Sequence, residues 1–148
     1  MGRSRAGETR ELLDSFGTVI RQLTRLTGGP DEGPAMTATQ RLALVELVTG
    51  GPLRLSELGA RLGVTAPTAS RAVDALVELA LVERLPDPAD RRAVQIDVTA
   101  AGRARFEERH ARVSAAFEPA VGTLSTAERA QLVELLGRLA AELSRPDA

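Results

Sequence analysis

The chain has 148 residues, of which 43% are hydrophobic and 26% charged, a composition typical of one folded globular domain rather than a disordered chain. It has no Cys and a single His, which excludes disulfides and thiol chemistry and argues against a zinc site or another bound cofactor. The sequence has neither ~20 consecutive apolar residues nor a signal-peptide core, so we expect a cytoplasmic protein, and its net charge of −1 argues against broad, non-specific affinity for nucleic acid.

The N-terminal part of the chain has the periodicity of two helices. Apolar residues recur every three or four positions over residues 12–26, which predicts an amphipathic helix that ends at the Gly-Gly-Pro of residues 28–30. Thr37 and Gln40 have the spacing of a capping box at the start of a second helix. The Gly-Gly-Pro of residues 50–52 predicts the end of that helix.

Two further helices, separated by a glycine, are predicted directly afterwards. Residues 55–62 have a short helical face that begins at Ser56 or a nearby polar group, and Gly63 breaks the pattern. Thr65 is a good N-cap for the next helix, and Pro67 is tolerated in its first turn. The apolar stripe of this helix is predicted to consist of Ala69, Ala72, Val73, Leu76 and Ala80.

The pattern then changes to that of a β-hairpin. Val94, Ile96 and Val98 alternate with polar residues, which predicts a half-buried strand, and residues 81–85 are its expected partner. The segment 86–90 between them is rich in Pro and Asp, which favour turns. We therefore expect a hairpin with a protruding loop.

Two more helices are predicted at the C-terminal end. Thr99 has the position of an N-cap for a long helix that carries Phe106 and ends within residues 119–122. Ser125 and Glu128 form a second capping-box pattern, ahead of a leucine-rich helix. The expected fold class is mainly α-helical with one small β-hairpin.

Two helices at a glycine turn, followed by a hairpin, are the arrangement of a winged helix-turn-helix, whose second helix enters the major groove of DNA. If the apolar stripe of that helix faces the core, an advance of about 100° per residue places Pro67, Arg71 and Asp74 outward. Thr68 and Ser70 then flank the outward face. Because Arg can donate two parallel hydrogen bonds to guanine, and Ser or Thr near a helix N-terminus can reach phosphates or bases, this face is a candidate DNA-binding site.

The loop of the hairpin offers a second candidate contact. Arg91 and Arg92 follow Asp90 in this loop, and an Arg at the tip of a hairpin can enter a narrow minor groove, where the negative potential is enhanced. Asp90 could pair with one of them and hold the loop, and we expect Arg84 to anchor the hairpin or to contact a phosphate. Residues 52–99 hold six Arg against seven acidic residues. Any DNA binding must therefore depend on where the Arg side chains lie.

Several short segments match one family pattern in their residues and in their spacing. They are Leu58 to Gly63, Thr65 to Arg71, Val82-Glu83-Arg84, Asp87-Pro88, Asp90-Arg91-Arg92, and Thr99 with Gly102. Together they resemble the MarR family of bacterial transcription regulators over nearly the whole chain. Ala80 departs from the pattern, which usually has Gly there, and Ala is strained if the backbone at this position is left-handed.

The resemblance implies a homodimer and a division of the chain within one domain of residues 1–148. Residues 8–27 and 99–145 would be dimerisation helices, and residues 37–98 would be a winged helix-turn-helix lobe. The resemblance also implies a ligand pocket between these parts. We assign that pocket to Phe16, Ile20, Leu44 and Phe106.

The resemblance further implies major-groove roles for Ser70 and Arg71 and a minor-groove role for Arg92. The complete set of candidate DNA-binding residues is Thr65, Pro67, Thr68, Ser70, Arg71, Arg84, Asp90, Arg91 and Arg92. The expected function is regulation of transcription at a pseudo-palindromic operator, as a repressor released by a small organic ligand.

Two other classes of function compete with this expectation. A winged-helix module that binds a protein or a ligand but not DNA is favoured by the excess of acidic residues in the lobe. An enzyme is not expected, because the chain has no pattern for a nucleophile, a metal site or a phosphate-binding loop.

Overall fold

The computed structural model describes residues 4–27 and 34–144, apart from the side chains of residues 26 and 27. The elements in chain order are α1 (Arg5–Thr27), α2 (Ala38–Gly50), β1 (Leu53–Arg54), α3 (Leu55–Leu62), α4 (Ala66–Glu78), β2 (Val82–Pro86), β3 (Val94–Val98), α5 (Ala100–Val121) and α6 (Thr126–Leu143). The predicted fold class, mainly helical with a small hairpin, is confirmed.

The chain divides into two compact units. We name the described residues within 1–27 and 113–148 the end-helix unit, and those within 28–112 the lobe unit. The long helix α5 contributes residues to both units.

The predicted caps of α2 and α6 are present. The Thr37 hydroxyl accepts the Gln40 N–H at 3.2 Å, and the Gln40 side-chain oxygen accepts the Thr37 N–H at 2.8 Å. Ser125 and Glu128 make the same reciprocal bonds at the start of α6, at 3.3 and 2.8 Å. Gly51, at φ +80°, follows the end of α2. These bonds satisfy N–H groups that have no partner within the helix, so the helices begin at the predicted residues.

The start of α3 differs from the prediction. The helix begins at Leu55, before Ser56, and its N-cap residue is Arg54. The Glu57 carboxylate accepts the Arg54 N–H at 2.8 Å. Leu53 and Arg54 form the strand β1, which sequence alternation cannot reveal because two residues are too few to show a period.

Three further helix boundaries were predicted from the sequence, at the two ends of α1 and at the end of α5. The helix α1 begins at Arg5, earlier than the predicted residue 8. Pro119 lies inside α5, which continues to Val121 and thus ends within the predicted range. Residues 28–30, predicted to end α1, lie outside the described residues.

The sheet is antiparallel and has the order β1-β3-β2, so β3 is its central strand. Val82 pairs with Val98, and Ile96 and Val98 are buried as the alternation predicts. Val94 is 50% exposed, so its predicted burial is wrong. It pairs with Pro86 at the loop end of the hairpin, beyond the residues that pack on the core.

The lobe unit has a hydrophobic core between its helices and the sheet. Leu58, Val73 and Leu76 are fully buried there, and burial of each such side chain stabilises the fold by about 1.5–3 kcal/mol. The core consists of Met36, Ala43, Leu44, Leu47, Leu53, Leu58, Val73, Leu76, Val82, Ile96 and Val98.

The end-helix unit has a different character. None of its described residues is buried. Its exposed large apolar side chains are Leu12, Leu13, Phe16, Val19, Ile20, Phe117, Leu132, Val133, Leu135, Leu136, Leu139 and Leu143.

Candidate DNA-binding site

The helix α4 buries one face and exposes the other. Ala69, Ala72, Val73 and Leu76 are buried as predicted. Ala80 is not part of this stripe, because α4 ends at Glu78 and Ala80 is an exposed residue with φ +56°. Packing of four residues on one side fixes which side of the helix faces solvent.

The N-terminus of α4 is held by the glycine turn and by a threonine pair. Gly63 has φ +62°, a left-handed conformation that Gly adopts without strain, and it reverses the chain between α3 and α4. The Thr65 hydroxyl accepts the Thr68 N–H at 3.4 Å and lies 2.9 Å from the Thr68 hydroxyl. Thr65 is therefore an N-cap as predicted. The side-chain hydroxyls of Thr65 and Thr68, both candidate DNA-binding residues, are thus already hydrogen-bonded within the protein.

The outward face of α4 carries the remaining candidates of this helix. Pro67 and Arg71 are exposed, whereas Ser70 is half-buried at the flank of the face. The Arg71 Nε donates to the Pro67 carbonyl oxygen at 3.3 Å. This bond directs the start of the guanidinium along the preceding turn and uses one of its five N–H groups.

Asp74 lies on the same outward face, three residues beyond Arg71. Its carboxylate pairs with Arg84 of β2, with Oδ1 and Nη2 2.6 Å apart. Arg84, predicted to anchor the hairpin or to meet a phosphate, thus makes an ion pair with α4. The sequence interpretation missed this pair, because residues ten apart on a helix and a strand show no spacing rule.

The segment 87–93, which we name the wing loop, connects β2 and β3. Its backbone is closed by three hydrogen bonds: Asp87 N–H to Ala93 O at 3.0 Å, Asp90 N–H to Asp87 O at 3.2 Å, and Ala93 N–H to Asp90 O at 2.8 Å. The Asp90 carboxylate accepts the Arg92 N–H at 3.0 Å. Asp90 therefore holds the loop through the main chain rather than through the predicted pairing with an Arg side chain. Arg91 and Arg92 are exposed.

The buried acid of the wing loop is Asp87, which the sequence interpretation named only as part of the family pattern and gave no role. Its carboxylate accepts the Ala89 N–H at 2.8 Å and the Arg54 Nε–H at 2.7 Å. These bonds, that from Ala89 first and that from Arg54 next, hold the pKa of Asp87 below its ordinary value. The ion pair joins the wing loop to β1. A signal for it was absent because β1 itself was not predicted.

The end of α4 and the start of α5 are joined at one junction. The Thr99 hydroxyl donates to the Ala80 carbonyl oxygen at 2.7 Å and accepts the Gly102 N–H at 3.0 Å, so Thr99 caps α5 as predicted. At Gly102 a Cβ atom would collide with the Leu81 carbonyl oxygen and with Val98. Only glycine permits this close approach of the start of α5 to the segment between α4 and β2.

The four predicted ligand-pocket residues belong to both units. Phe16 and Ile20 lie in the end-helix unit, where they are 40% and 59% exposed. In the lobe unit Leu44 is a core residue at 3% exposure, and Phe106 packs against the core and stacks on His110 with ring centroids 5.7 Å apart. Their assignment to one pocket stays a prediction.

The end-helix unit has an apolar groove of its own, with a volume of about 370 Å³. The groove lies between α1, α5 and α6, and it is lined by Leu12, Ser15, Phe16, Val19, Phe117, Ala120, Val121, Leu124, Leu132 and Leu136.

Within the described ranges, 4–27 and 34–144, none of the helices combines the length and the apolar character that a membrane span requires. No group of His, Cys, Asp and Glu in the same ranges is placed to hold a metal ion.

Comparisons with known proteins agree with this architecture. The model of the MarR family matches residues 36–93. The HTH-type transcriptional repressor NicR of Pseudomonas putida is 30% identical over 106 residues, which cover 72% of this chain and 67% of that protein. RV1404 from Mycobacterium tuberculosis is 29% identical over 100% of this chain and 99% of its own, with a TM-score of 0.78. Wild-type MarR in its apo form from E. coli is 26% identical, over 94% and 98% of the two chains, with a TM-score of 0.67.

The fold is therefore that of a winged helix-turn-helix protein. The chain belongs to the MarR family, and it is a DNA-binding transcriptional regulator. Regulators of this family bind operator DNA and act as dimers.

Proposed function

We propose that this regulator binds a pseudo-palindromic operator as a homodimer, inserts α4 into the major groove and the wing loop into the minor groove, and represses transcription in the cytoplasm. The observation that carries the proposal is the outward face of α4, where Arg71 is exposed opposite a fully buried stripe. The exposed Arg91 and Arg92 of the wing loop supply the second contact. The name of the NicR relative, a transcriptional repressor, favours repression over activation.

The homodimer is supported by the end-helix unit. Its apolar side chains have no core in which to be buried, and contiguous exposed apolar surface is a mark of an interaction site. We propose that residues 8–27 and 99–145 supply the dimer contacts and that residues 37–98 bind DNA, within one domain. A two-fold symmetric dimer would then place its α4 helices on half-sites about 34 Å apart, one turn of DNA.

The experiment that tests operator binding is selection of bound duplexes from a random-sequence pool, followed by footprinting of the recovered sequence. We expect a site with two inverted halves about one helical turn apart, protected by a species with the mass of two chains in light scattering. Recovery of no preferred sequence, or binding by a monomer at micromolar concentration, would contradict the proposal.

The two Arg contacts are expected to differ in kind. Arg71→Ala should cost about 1–3 kcal/mol at one base pair of each half-site and relax the preference there, if the contact is bidentate to guanine. Arg92→Ala should weaken binding mainly at A·T-rich flanks, because it removes a cation from a narrow minor groove. Arg5→Ala, an exposed Arg at the start of α1 outside the proposed dimer and DNA contacts, is the matched control for loss of one positive charge. A variant of Arg71 or Arg92 that binds every sequence as the control does would lose its assigned role.

We further propose that a small organic molecule releases the operator. The chain has no Cys, so thiol oxidation cannot be the signal, and the described residues offer no metal site. The predicted pocket of Phe16, Ile20, Leu44 and Phe106 has no Tyr or Trp to add hydrogen bonds, which favours an amphipathic or anionic ligand held by apolar contact and Arg. A 10- to 100-fold loss of operator affinity requires about 1.4–2.7 kcal/mol of coupling.

This part of the proposal is tested by measuring operator binding in the presence of peroxide, of zinc or copper, and of a panel of aromatic acids and amphiphiles. We expect release by at least one organic compound and none by peroxide. Release by peroxide or metal at low micromolar concentration, without any response to the organic panel, would overturn it.

A further inference from the structure

The ion pair between Asp74 and Arg84 stands at the edge of the outward face of α4. Asp74 Oδ1 and Arg84 Nη2 are 2.6 Å apart, and the two side chains are 52% and 39% exposed. The pair joins the helix proposed to enter the major groove to the first strand of the hairpin. Both charged groups are thus within reach of solvent, and neither is needed to fill the core.

Asp74 has two Arg residues available to it, and it pairs with the more distant one in sequence. Arg71 lies one helical turn before Asp74, a spacing at which opposite charges commonly pair. In the structure Arg71 instead donates its Nε–H to the Pro67 carbonyl oxygen, and the Asp74 carboxylate is bound by Arg84. The guanidinium proposed to read a base is therefore not drawn toward the carboxylate beside it.

The ion pair should also lower the electrostatic affinity of this surface for the phosphates of DNA. An unpaired Arg beside a DNA-binding helix contacts a phosphate and releases a counterion, which strengthens binding to any sequence. An Arg paired with a carboxylate brings no net charge, and the carboxylate itself repels the backbone of DNA. Residues 52–99 hold six Arg and seven acidic residues, so this part of the chain as a whole also carries no excess of positive charge for binding phosphates.

We propose that Asp74 limits the electrostatic affinity for DNA: by holding Arg84 in an ion pair, it withholds one cation per subunit from the phosphates and so keeps affinity for DNA of any sequence low. This inference rests on the proposed DNA contact of α4. It assigns to Asp74 an effect on every sequence, whereas Arg71 is assigned an effect on particular bases.

The test uses Asp74→Asn, which removes the negative charge and keeps the size of the side chain. Glu46→Gln is the matched control, because it removes one acid from another exposed ion pair of the lobe unit, Glu46 with Arg61 at 3.6 Å. Binding to a random-sequence duplex is measured over a range of salt concentrations for both variants and for the wild type. Thermal unfolding of each variant confirms that it is folded.

For Asp74→Asn we expect tighter binding to random DNA and a steeper dependence on salt, by about 0.9 in the log–log slope for each freed Arg, or roughly 1.8 per dimer. The Glu46→Gln slope should equal that of the wild type. The double variant Asp74→Asn with Arg84→Ala should return the slope to the wild-type value, because Arg84 is the cation that Asp74 releases. The ratio of operator to random affinity should stay near the wild-type value in Asp74→Asn, because a freed phosphate contact strengthens binding to every sequence.

A slope for Asp74→Asn that matches Glu46→Gln would overturn the inference, and so would a raised slope that persists in the double variant. Failure of the wild type to prefer any sequence is a different result, since it would contradict operator binding. The random-DNA measurement needs no operator, so it decides the role of Asp74 in either case.

Discussion

The lobe unit and the end-helix unit use apolar residues in opposite ways. In the lobe unit, Leu58, Val73 and Leu76 are fully buried against helices and a sheet of the same chain. In the end-helix unit, Leu132 and Leu136 are 41% and 40% exposed although they lie on a leucine-rich helix. The difference shows that one unit obtains its burial from its own residues, whereas the other has apolar side chains that only a further surface could cover.

This contrast separates the unfolding free energy of the subunit from the dissociation constant of the proposed dimer, two quantities that both affect a single unfolding curve. Mutations in the lobe core should change the free energy of unfolding of the subunit. Mutations in the apolar groove of the end-helix unit should change the dissociation constant of the proposed dimer, because in that proposal a second copy covers the groove.

The largest expected effect is that of Leu76→Ala in the lobe core. Leu76 is 0% exposed, and removing such a side chain leaves a cavity that costs about 2–5 kcal/mol of unfolding free energy. Urea unfolding measures this cost. Leu42→Ala on α2, at 56% exposure, is the matched control and should change stability by less than about 0.5 kcal/mol. Equal losses in the two variants would show that the lobe core does not stabilise the subunit as argued.

A smaller effect is expected for Leu136→Ala in the groove. The part of this side chain that remains exposed in one subunit should be covered in the dimer, so the substitution should raise the dimer dissociation constant about 10-fold, or about 1.4 kcal/mol. Analytical ultracentrifugation over a dilution series measures it, with Leu42→Ala again as the control. A dissociation constant unchanged from wild type would place the dimer contact elsewhere.

The two units also differ in how much of them the sequence could predict. Helix starts capped by a side chain were predictable in both, because Thr37, Thr65, Thr99 and Ser125 bond to groups within the next three residues. Local bonds of this kind depend on spacing alone. The strand β1 was not predictable, since two residues carry no period and its pairing with β3 spans some forty residues.

The same distinction between local geometry and long-range contacts applies to the candidate DNA-binding site. The outward position of Arg71 follows from helical geometry and from the buried stripe opposite it. The ion pairs Asp74–Arg84 and Arg54–Asp87 do not follow from any spacing, because each joins residues of different elements that only the tertiary fold brings together. Sequence analysis therefore identifies which cations face outward, but the tertiary structure decides which of them are already paired.

Low pH should reduce the folding stability of the two units through the protonation of different carboxylates. The pKa of Asp87 in the lobe unit is lowered by the Ala89 N–H and by Arg54, and that of Glu128 in the end-helix unit is lowered by the hydroxyl and the N–H of Ser125. A lowered pKa means that the ionised form is favoured in the folded state. Its stabilisation is complete above the ordinary carboxyl pKa of about 4 and is lost as the pH falls through the lower folded-state value.

The expected outcome is a shallower loss of stability below about pH 4 in Asp87→Asn than in the wild type, measured by urea unfolding from about pH 6 to pH 2. Near neutral pH the same variant should be less stable, because its amide cannot form the ion pair that joins the wing loop to β1. Glu128→Gln keeps an acceptor for the Ser125 N–H but loses the carboxylate, so it should lose less stability at neutral pH than Asp87→Asn, which also breaks an ion pair. If the acid slopes of Asp87→Asn and wild type coincide, protonation of Asp87 is not part of acid unfolding.

The smallest expected effect is a gain in stability from Ala80→Gly. Ala80 has φ +56°, where an L-residue with a Cβ is strained by about 1–2 kcal/mol, while the greater freedom of Gly in the unfolded chain returns about 0.4–1 kcal/mol of that gain. A net stabilisation of about 0.5–1 kcal/mol should result. Ala60→Gly within α3 is the matched control, and it should destabilise by about 0.5–1 kcal/mol because Ala60 has ordinary helical backbone.

Ala80→Gly should act on the lobe unit alone. The substitution keeps the carbonyl that accepts the Thr99 hydroxyl, so the junction between α4 and α5 is retained. Urea unfolding of both variants gives the change in stability, and ultracentrifugation should give the wild-type dimer dissociation constant for each. A loss of stability in Ala80→Gly equal to that in Ala60→Gly would show that the left-handed backbone at Ala80 is not strained. A changed dissociation constant would show instead that the stability of the lobe and the dimer contact are coupled, which would contradict their separation in the fold.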